Sequence, residues 1–258
     1  MSKLSAKSKG ELHARWKRVE KSPFSGWDFS FASKSTKEEP LPWDYRKEVQ
    51  KAIEGKETLL DMDTGGGEFL ASLPELPVRT FATESYPPNV TCAYEKLQPL
   101  EVQVIQVDES GVLPFKGGSF ATIINRHGFY DPNEIYRATK KNGIFITQQV
   151  GSDDWHDLKS ALGYQNSVAD RWDLESASDQ IRQAGFEIEA ENEVTDNKSY
   201  FKDVEAIIYY LINIPWVIPD FSIDKYFDKL LALHRRSMEQ EWLVFLQHRF
   251  FFTARRVA

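Results

Sequence analysis

The residues best suited to chemistry lie in one stretch, Leu59-Leu60-Asp61-Met62-Asp63-Thr64-Gly65-Gly66-Gly67-Glu68. An apolar run that ends in glycines and opens a helix exposes backbone N–H groups to a ligand, because glycine has no Cβ to keep the ligand away. The same glycines would also serve a tight turn that needs positive φ. Asp61, Asp63 and Glu68 surround the loop, so a pyrophosphate there would meet up to three negative charges. A like-charged pair ~4 Å apart costs about 4 kcal/mol at an effective dielectric of about 20. The loop therefore favours a cationic or zwitterionic nucleoside ligand over a dinucleotide. No Gly-Lys-Ser/Thr follows to form a phosphate-cradling loop.

S-adenosylmethionine meets these requirements, since its sulfonium and ammonium are positive and it carries no phosphate. Two further acids fall where such a ligand needs them. Glu84 ends the second predicted strand, close to the ~20-residue spacing at which a strand-end carboxylate reaches ribose hydroxyls. Asp108 ends the third and can accept from an adenine amino group. One acid at a strand end is common; acids at the ends of three successive strands form a pattern.

These residues need a framework, and the chain predicts one. Strands at residues 58–62, 78–83, 102–107, 120–125 and 144–150 alternate with helices at 68–73, 88–97 and 132–141. That alternation implies parallel pairing with right-handed crossovers, hence an open α/β sheet covered on both faces. Beyond Gly151 come a helix near 176–184, a strand at 186–193, helices at 202–212 and 223–236, and a last strand at 249–257. The last two strands are expected to form an antiparallel hairpin at the sheet edge. Before the core lie helices at 11–22 and 45–53, separated by an irregular segment too aromatic for a free linker.

The loop resembles that of the class I S-adenosylmethionine-dependent methyltransferases. The resemblance covers residues 58–151, with Val112-Leu113-Pro114-Phe115 similar to that family's Leu-Pro-Phe element and Glu134 to Gly143 similar to its helix before strand five. It implies a Rossmann-like seven-stranded, mostly parallel sheet in the order 3-2-1-4-5-7-6, the last strand antiparallel, with helices on both faces. It also implies S-adenosylmethionine as cofactor. By position, Asp61, Gly65 and Gly67 would hold the methionine moiety, Glu84 the ribose and Asp108 the adenine edge, with Asp63, Thr64, Ser85 and Glu109 further candidates for cofactor binding. Asn125 would lie beside the methyl group. Asp63 stands where the family has its first loop glycine, and it either meets the ligand's ammonium or crowds the pocket. Ala121 stands where the family often has Asp.

Methyl transfer from a sulfonium is an in-line displacement with a good leaving group, so positioning supplies much of the rate. A base is needed only when the nucleophile starts protonated. Asn125-Arg126-His127 follows strand four, and Gln148-Gln149 ends strand five. His127 is the candidate base and Arg126 a candidate clamp for an anionic substrate; either could equally be an ordinary loop residue. Trp43 and Tyr45, with Trp27 and Phe29, are candidates for an aromatic lid or for simple packing of the N-terminal extension. Gln149, Tyr200 and Trp216 are candidates for the substrate wall. No metal-ligand spacing, no Gly-x-Ser-x-Gly elbow, no Asn/Asp-Pro-Pro-Tyr and no Pro-Cys nucleophile occurs. The tail around Asp203-Val204-Glu205-Ala206 is weakly similar to a large-subunit rRNA guanine methyltransferase group, whose cysteine-rich zinc module this chain lacks.

Composition sets the remaining bounds. The chain has 258 residues, 41% hydrophobic, with seven Trp, ten Tyr and 17 Phe, too much apolar surface for a disordered chain. Residues 1–50 read as a helical extension and lid, and 51–258 as the methyltransferase domain, with a substrate-shaping segment near 195–236. A single cysteine, Cys92, excludes an internal disulfide. With no apolar leader or ~20-residue apolar span, a cytoplasmic protein is expected. A net charge of −7 argues against non-specific nucleic-acid binding, although residues 1–22 hold seven Lys/Arg against two Glu. The expected function is methyl transfer to an O or N nucleophile of a small molecule. Its rivals are rRNA or tRNA methylation through the basic arm, a non-catalytic binding protein on the same fold, and, last, a nicotinamide dehydrogenase.

Overall fold

The computed structural model describes residues 6–24, 26, 29–165 and 171–257; Trp27 lies outside them. In chain order come α1 (Ala6–Val19), β1 (Thr36–Glu38), α2 (Tyr45–Ile53), β2 (Thr58–Met62), α3 (Glu68–Ala71) and β3 (Arg79–Glu84). Next are α4 (Pro87–Leu97), β4 (Gln103–Gln106), β5 (Phe120–Arg126), α5 (Pro132–Ala138) and β6 (Thr139–Val150). The last part holds α6 (His156–Leu162), α7 (Leu174–Ala184), β7 (Phe186–Phe201), α8 (Val204–Asn213), α9 (Ile223–Glu239) and β8 (Leu243–Arg256). Helix starts follow local chemistry: Asp44, Asp131, Asp173, Asp203 and Ser222 each accept a backbone N–H of the first turn.

One sheet runs β1-β7-β8-β6-β5-β2-β3-β4. β2 pairs in parallel with β3 and β5, β3 with β4, and β5 with β6, while β8 lies antiparallel between β6 and β7. Without β1 this is the expected seven-strand order. Two expectations need correction. The sheet has an eighth strand, because Thr36–Glu38, read as irregular, pairs antiparallel with Ser199–Phe201 and covers that part of the β7 edge. The last two strands do pair antiparallel, yet α8 and α9 connect them and β8 lies inside the sheet, so they form no edge hairpin.

β7 and β8 also outrun their predicted lengths, reaching 16 and 14 residues. Asn197–Phe201 pairs with Leu243–Gln247, past Val150 where β6 stops, so this ribbon projects beyond the carboxyl ends of the parallel strands. α6 was not foreseen. The helix expected to reach residue 141 stops at Ala138, where Thr139 pairs with Phe120 and opens β6.

Alternation along the strands sorts the core. Leu60, Ile123, Phe145 and Phe252 face α5 and α7, whereas Leu59, Ile124, Ile146 and Phe251 face α2, α3 and α4. A third cluster joins Leu12 and Trp16 of α1 to Leu158, Ile207, Leu230 and Phe245, packing the N-terminal helix against the projecting ribbon and its helices. No helix among the described residues is long and apolar enough to cross a membrane.

Trp16 is fully buried at the centre of that third cluster. Trp16→Ala should lower stability by about 3–5 kcal/mol through lost packing and a residual cavity. Urea unfolding checks this, and a midpoint equal to that of the parent chain would show that α1 is not part of the cooperative fold.

Candidate functional site

The loop after β2 is tied to the end of β3. Glu84 is buried, and its carboxylate accepts from the backbone N–H of Gly65 at 2.7 Å and of Tyr86 at 2.9 Å. The Thr64 N–H donates to the Thr83 carbonyl at 3.0 Å, and its hydroxyl donates to Asp61 at 2.7 Å. Asp63, Gly65 and Gly67 all have positive φ, at 54°, 64° and 80°. At position 67 a side chain is excluded twice over, since a Cβ would stand 2.8 Å from Leu97 of α4. Glu68 turns outward to Lys96, 2.5 Å away.

Asp63 reaches across to the loop after β5. Its carboxylate accepts from the backbone N–H of Phe129 and packs on Gly128, where an added Cβ would lie 2.3 Å from Oδ2. Both Asp61 and Asp63 are raised to about 7, chiefly by burial and also by the charge of Glu84, while for Asp61 the Thr64 hydroxyl and the Arg126 guanidinium oppose the shift. Asp108 is exposed two residues beyond β4, where it accepts from Ser110 and is held below the ordinary carboxylate range by those bonds. Ser85 is half-buried and Glu109 exposed beside them.

A second group forms at the ends of β5 and β6. Asn125 is fully buried with both amide ends engaged. Its Nδ2 donates to the Met62 carbonyl at 3.3 Å, and its Oδ1 accepts from Gln149 at 2.6 Å. The Tyr45 hydroxyl donates to the Asn125 carbonyl at 3.1 Å. Thus Asn125, Tyr45 and Gln149 knit β2, β5, β6 and α2 together. Trp43 stacks on Phe251 and donates its indole N–H to Gln148 Oε1 at 2.8 Å; Gln148 Nε2 lies 3.1 Å from His127 Nε2. His127 has φ of 65° and is exposed, with one ring nitrogen turned to Gln148. Burial, then the nearby Arg249 and Arg126, hold its pKa well below the usual imidazole value. Arg126 lies over the Phe69 ring at 5.2 Å.

Other sequence candidates go elsewhere. Tyr200 joins a surface group with Lys37, Glu39 and Trp242, and Trp216 is 63% exposed between α8 and α9. Phe29 stacks on Tyr210 at 4.5 Å, and beside it Gly26 crosses the glycine loop, where an added Cβ would lie 3.4 Å from the Gly66 Cα. Sequence reading missed Arg249 on β8 and its buried partner Asp154. Their only signal was an arginine opening a predicted strand, and nothing local joins it to β5.

A doubly wound sheet in this strand order, with an acid-lined glycine loop after its first parallel strand, is the class I methyltransferase fold. Solved structures share it. A candidate methyltransferase of Bacillus halodurans matches with a TM-score of 0.57 at 18% identity, over 83% of this chain and 99% of that one. A candidate sarcosine dimethylglycine methyltransferase of Galdieria sulphuraria matches with a TM-score of 0.52 at 11% identity, over 82% of each chain. The [4+2]-cyclase SpnF also matches, with a TM-score of 0.52 at 14% identity, over 100% of this chain and 98% of that one. No family model and no curated protein matches the chain. At such identities the likeness is one of fold, which hosts more than one chemistry.

The two raised carboxyls make stability pH-dependent. In the folded chain Asp61 and Asp63 titrate at about 7, against 3.8 ordinarily, so between those values the folded state holds protons that the unfolded state has released. Their contribution therefore falls as pH rises through that window, by up to ~1.4 kcal/mol per pH unit for each group, and levels off above it. Urea unfolding at pH 5 and pH 8 should show a smaller drop for Asp63→Asn than for the parent chain.

Proposed function

We propose that this chain binds S-adenosylmethionine at the loop after β2 and transfers its methyl group to an O or N nucleophile of a small molecule. The observation that carries this reading is the buried Asp61 and half-buried Asp63, crowded with Glu84 around one glycine loop and both pushed up to about 7. Such a set is short of positive charge even with Arg126 near Asp61, and a sulfonium and an ammonium would add it where a pyrophosphate would not. When bound, the cofactor supplies an electrophilic methyl group on a good leaving group. Asp61, Asp63, Thr64, Gly65 and Gly67 would hold its amino-acid part. Glu84, already oriented by two backbone N–H groups, has lone pairs left for ribose hydroxyls, with Ser85 beside it. Asp108 and Glu109 would meet the adenine edge, and the buried Asn125 would brace the wall nearest the methyl group. Arg126 and His127 stand on the acceptor side with Trp43.

The basic arm gives less support to an RNA acceptor. Within α1, Arg15 pairs with Glu205, and Lys17 and His13 pair with Asp224, so these bases face the protein's own acids. A binding protein on the same fold is the second reading, favoured by the Asp63 carboxylate lying between the loops after β2 and β5.

Calorimetry separates these readings. S-adenosylmethionine should bind, and more tightly as pH rises through about 7, with proton release, because its positive charge favours ionised Asp61 and Asp63. Glu84→Ala should weaken binding by about 1–3 kcal/mol, roughly 5- to 150-fold. Silence with both S-adenosylmethionine and S-adenosylhomocysteine would overturn the assignment. Binding without turnover against a metabolite extract would favour the binding protein.

A further inference from the structure

Beside the acid-lined loop, the carboxyl end of the sheet has a face of opposite character. Residues paired directly across strands share a side of the sheet, and so do residues two apart on one strand. Arg126 pairs with Gln148, Gln148 with Phe251, and Val150 with Arg249. Arg126, Gln148, Phe251 and Arg249 therefore share one side, the side on which Trp43 stacks on Phe251 and Arg126 covers Phe69. His127 joins them through Gln148. Arg249 is held in place: it pairs with the buried Asp154, donates to the His248 carbonyl at 2.9 Å, and has a side chain only 12% exposed.

The hydrogen bonds also assign the His127 proton. An indole N–H only donates, so the oxygen of the Gln148 amide is the atom that faces Trp43, and its NH2 faces His127. His127 Nε2 therefore accepts, and the proton of the neutral ring sits on Nδ1. With its pKa held well below the usual range, the ring stays neutral at pH 7. A general base needs a free lone pair facing the substrate. This imidazole has its lone pair engaged and offers an N–H instead.

Two guanidinium groups and a donor imidazole, with no free base among them, suit an acceptor that arrives already ionised. We propose that this face binds the methyl acceptor as a carboxylate, its flat body against Trp43 and its charge between Arg126, His127 and Arg249. The proposal rests on the methyl-transfer reading above. Asp154 already neutralises one guanidinium, so a monoanion suits the face better than a phosphate dianion, and a planar carboxylate matches the guanidinium fork. In the reaction a carboxylate oxygen forms the new bond to the methyl carbon with its own lone pair. The carbon–sulfur bond breaks with its pair going to sulfur, giving a methyl ester and a neutral thioether. No proton moves, so the step asks for no base from Arg126, His127 or Arg249.

The test uses the full chain saturated with S-adenosylhomocysteine, so that the cofactor's own carboxylate is already seated. Benzoate and 2-naphthoate, each against its carboxamide, are titrated while NMR follows the His127 imidazole and the Trp43 indole. The carboxylates should shift both signals and bind at least tenfold more tightly than the amides. Arg126→Gln should cost at least tenfold, as should the paired change Arg249→Gln with Asp154→Asn, which leaves no unpaired buried charge. S-adenosylhomocysteine affinity, measured on each variant, reports whether it has folded. Imidazole nitrogen shifts should show a neutral ring protonated on Nδ1. Equal binding of acid and amide, no binding of either acid, or a ring protonated on Nε2 overturns the proposal and leaves the cofactor assignment standing. Discrimination between acid and amide in a chain that never binds S-adenosylhomocysteine would support the anion face and overturn the methyl-transfer reading instead.

Discussion

The crowding of three carboxyls around the loop at the end of β2 is the constraint on which the site depends. Asp61 is buried, Asp63 half-buried, and Glu84 stands against the same loop. Burial favours the protonated form of Asp61 and Asp63 and the charge of Glu84 reinforces that preference, while Arg126 opposes it at Asp61. The fold tolerates the arrangement because every one of these acids has a donor. Thr64 serves Asp61, the Phe129 N–H serves Asp63, and the N–H groups of Gly65 and Tyr86 serve Glu84. The same bonds hold the glycine loop against β3, so the loop's shape and its demand for positive charge have one origin.

Charge at the carboxyl end of the sheet is divided by position. Acids gather where β2, β3 and β4 end, and the guanidinium groups of Arg126 and Arg249 where β5 and β8 meet β6. Asn125 sits at the division. Its side chain ties Met62 of β2 to Gln149 of β6, so the two halves cannot drift apart without breaking buried hydrogen bonds. On the proposed reading, a cationic donor and an anionic acceptor would meet across that line.

The N-terminal segment contributes more than cover. α1 packs into the cluster beyond the sheet, Thr36–Glu38 extends the sheet, and α2 fills the face above β2 and β5. Between α1 and β1 the chain is anchored on α8, where Tyr209 donates to the Pro23 carbonyl at 3.1 Å and Phe29 stacks on Tyr210. Gly26 lies over Gly66, where an added Cβ would touch the Gly66 backbone, and its positive φ of 61° favours glycine there.

Much of this was legible in the residues themselves. Strand alternation, the Asp and Ser helix caps, and a glycine run between an apolar strand and a helix are local features whose energetics depend on near neighbours in the chain. They carried the parallel strands and the acids at their ends, whereas the order β4-β3-β2-β5-β6 and the antiparallel β8 beside β6 followed from the resemblance to the methyltransferase family and not from any local feature. Tertiary structure decided what depends on distant partners. Residues 194–201 are mostly polar and lie beyond the predicted strand, yet they continue it because β8 pairs with Asn197–Phe201 on one side and β1 with Ser199–Phe201 on the other. Asn125 looked free to meet a ligand and is instead engaged at both ends, and Tyr200 is drawn to the surface by Lys37 and Glu39. Arg249 reaches the site only because β8 returns between β6 and β7, and the proton on His127 is placed by an indole 84 residues earlier in the chain. Pairings of that kind carry no local signature, because the free energy that selects them arises only once the sheet has brought both partners together.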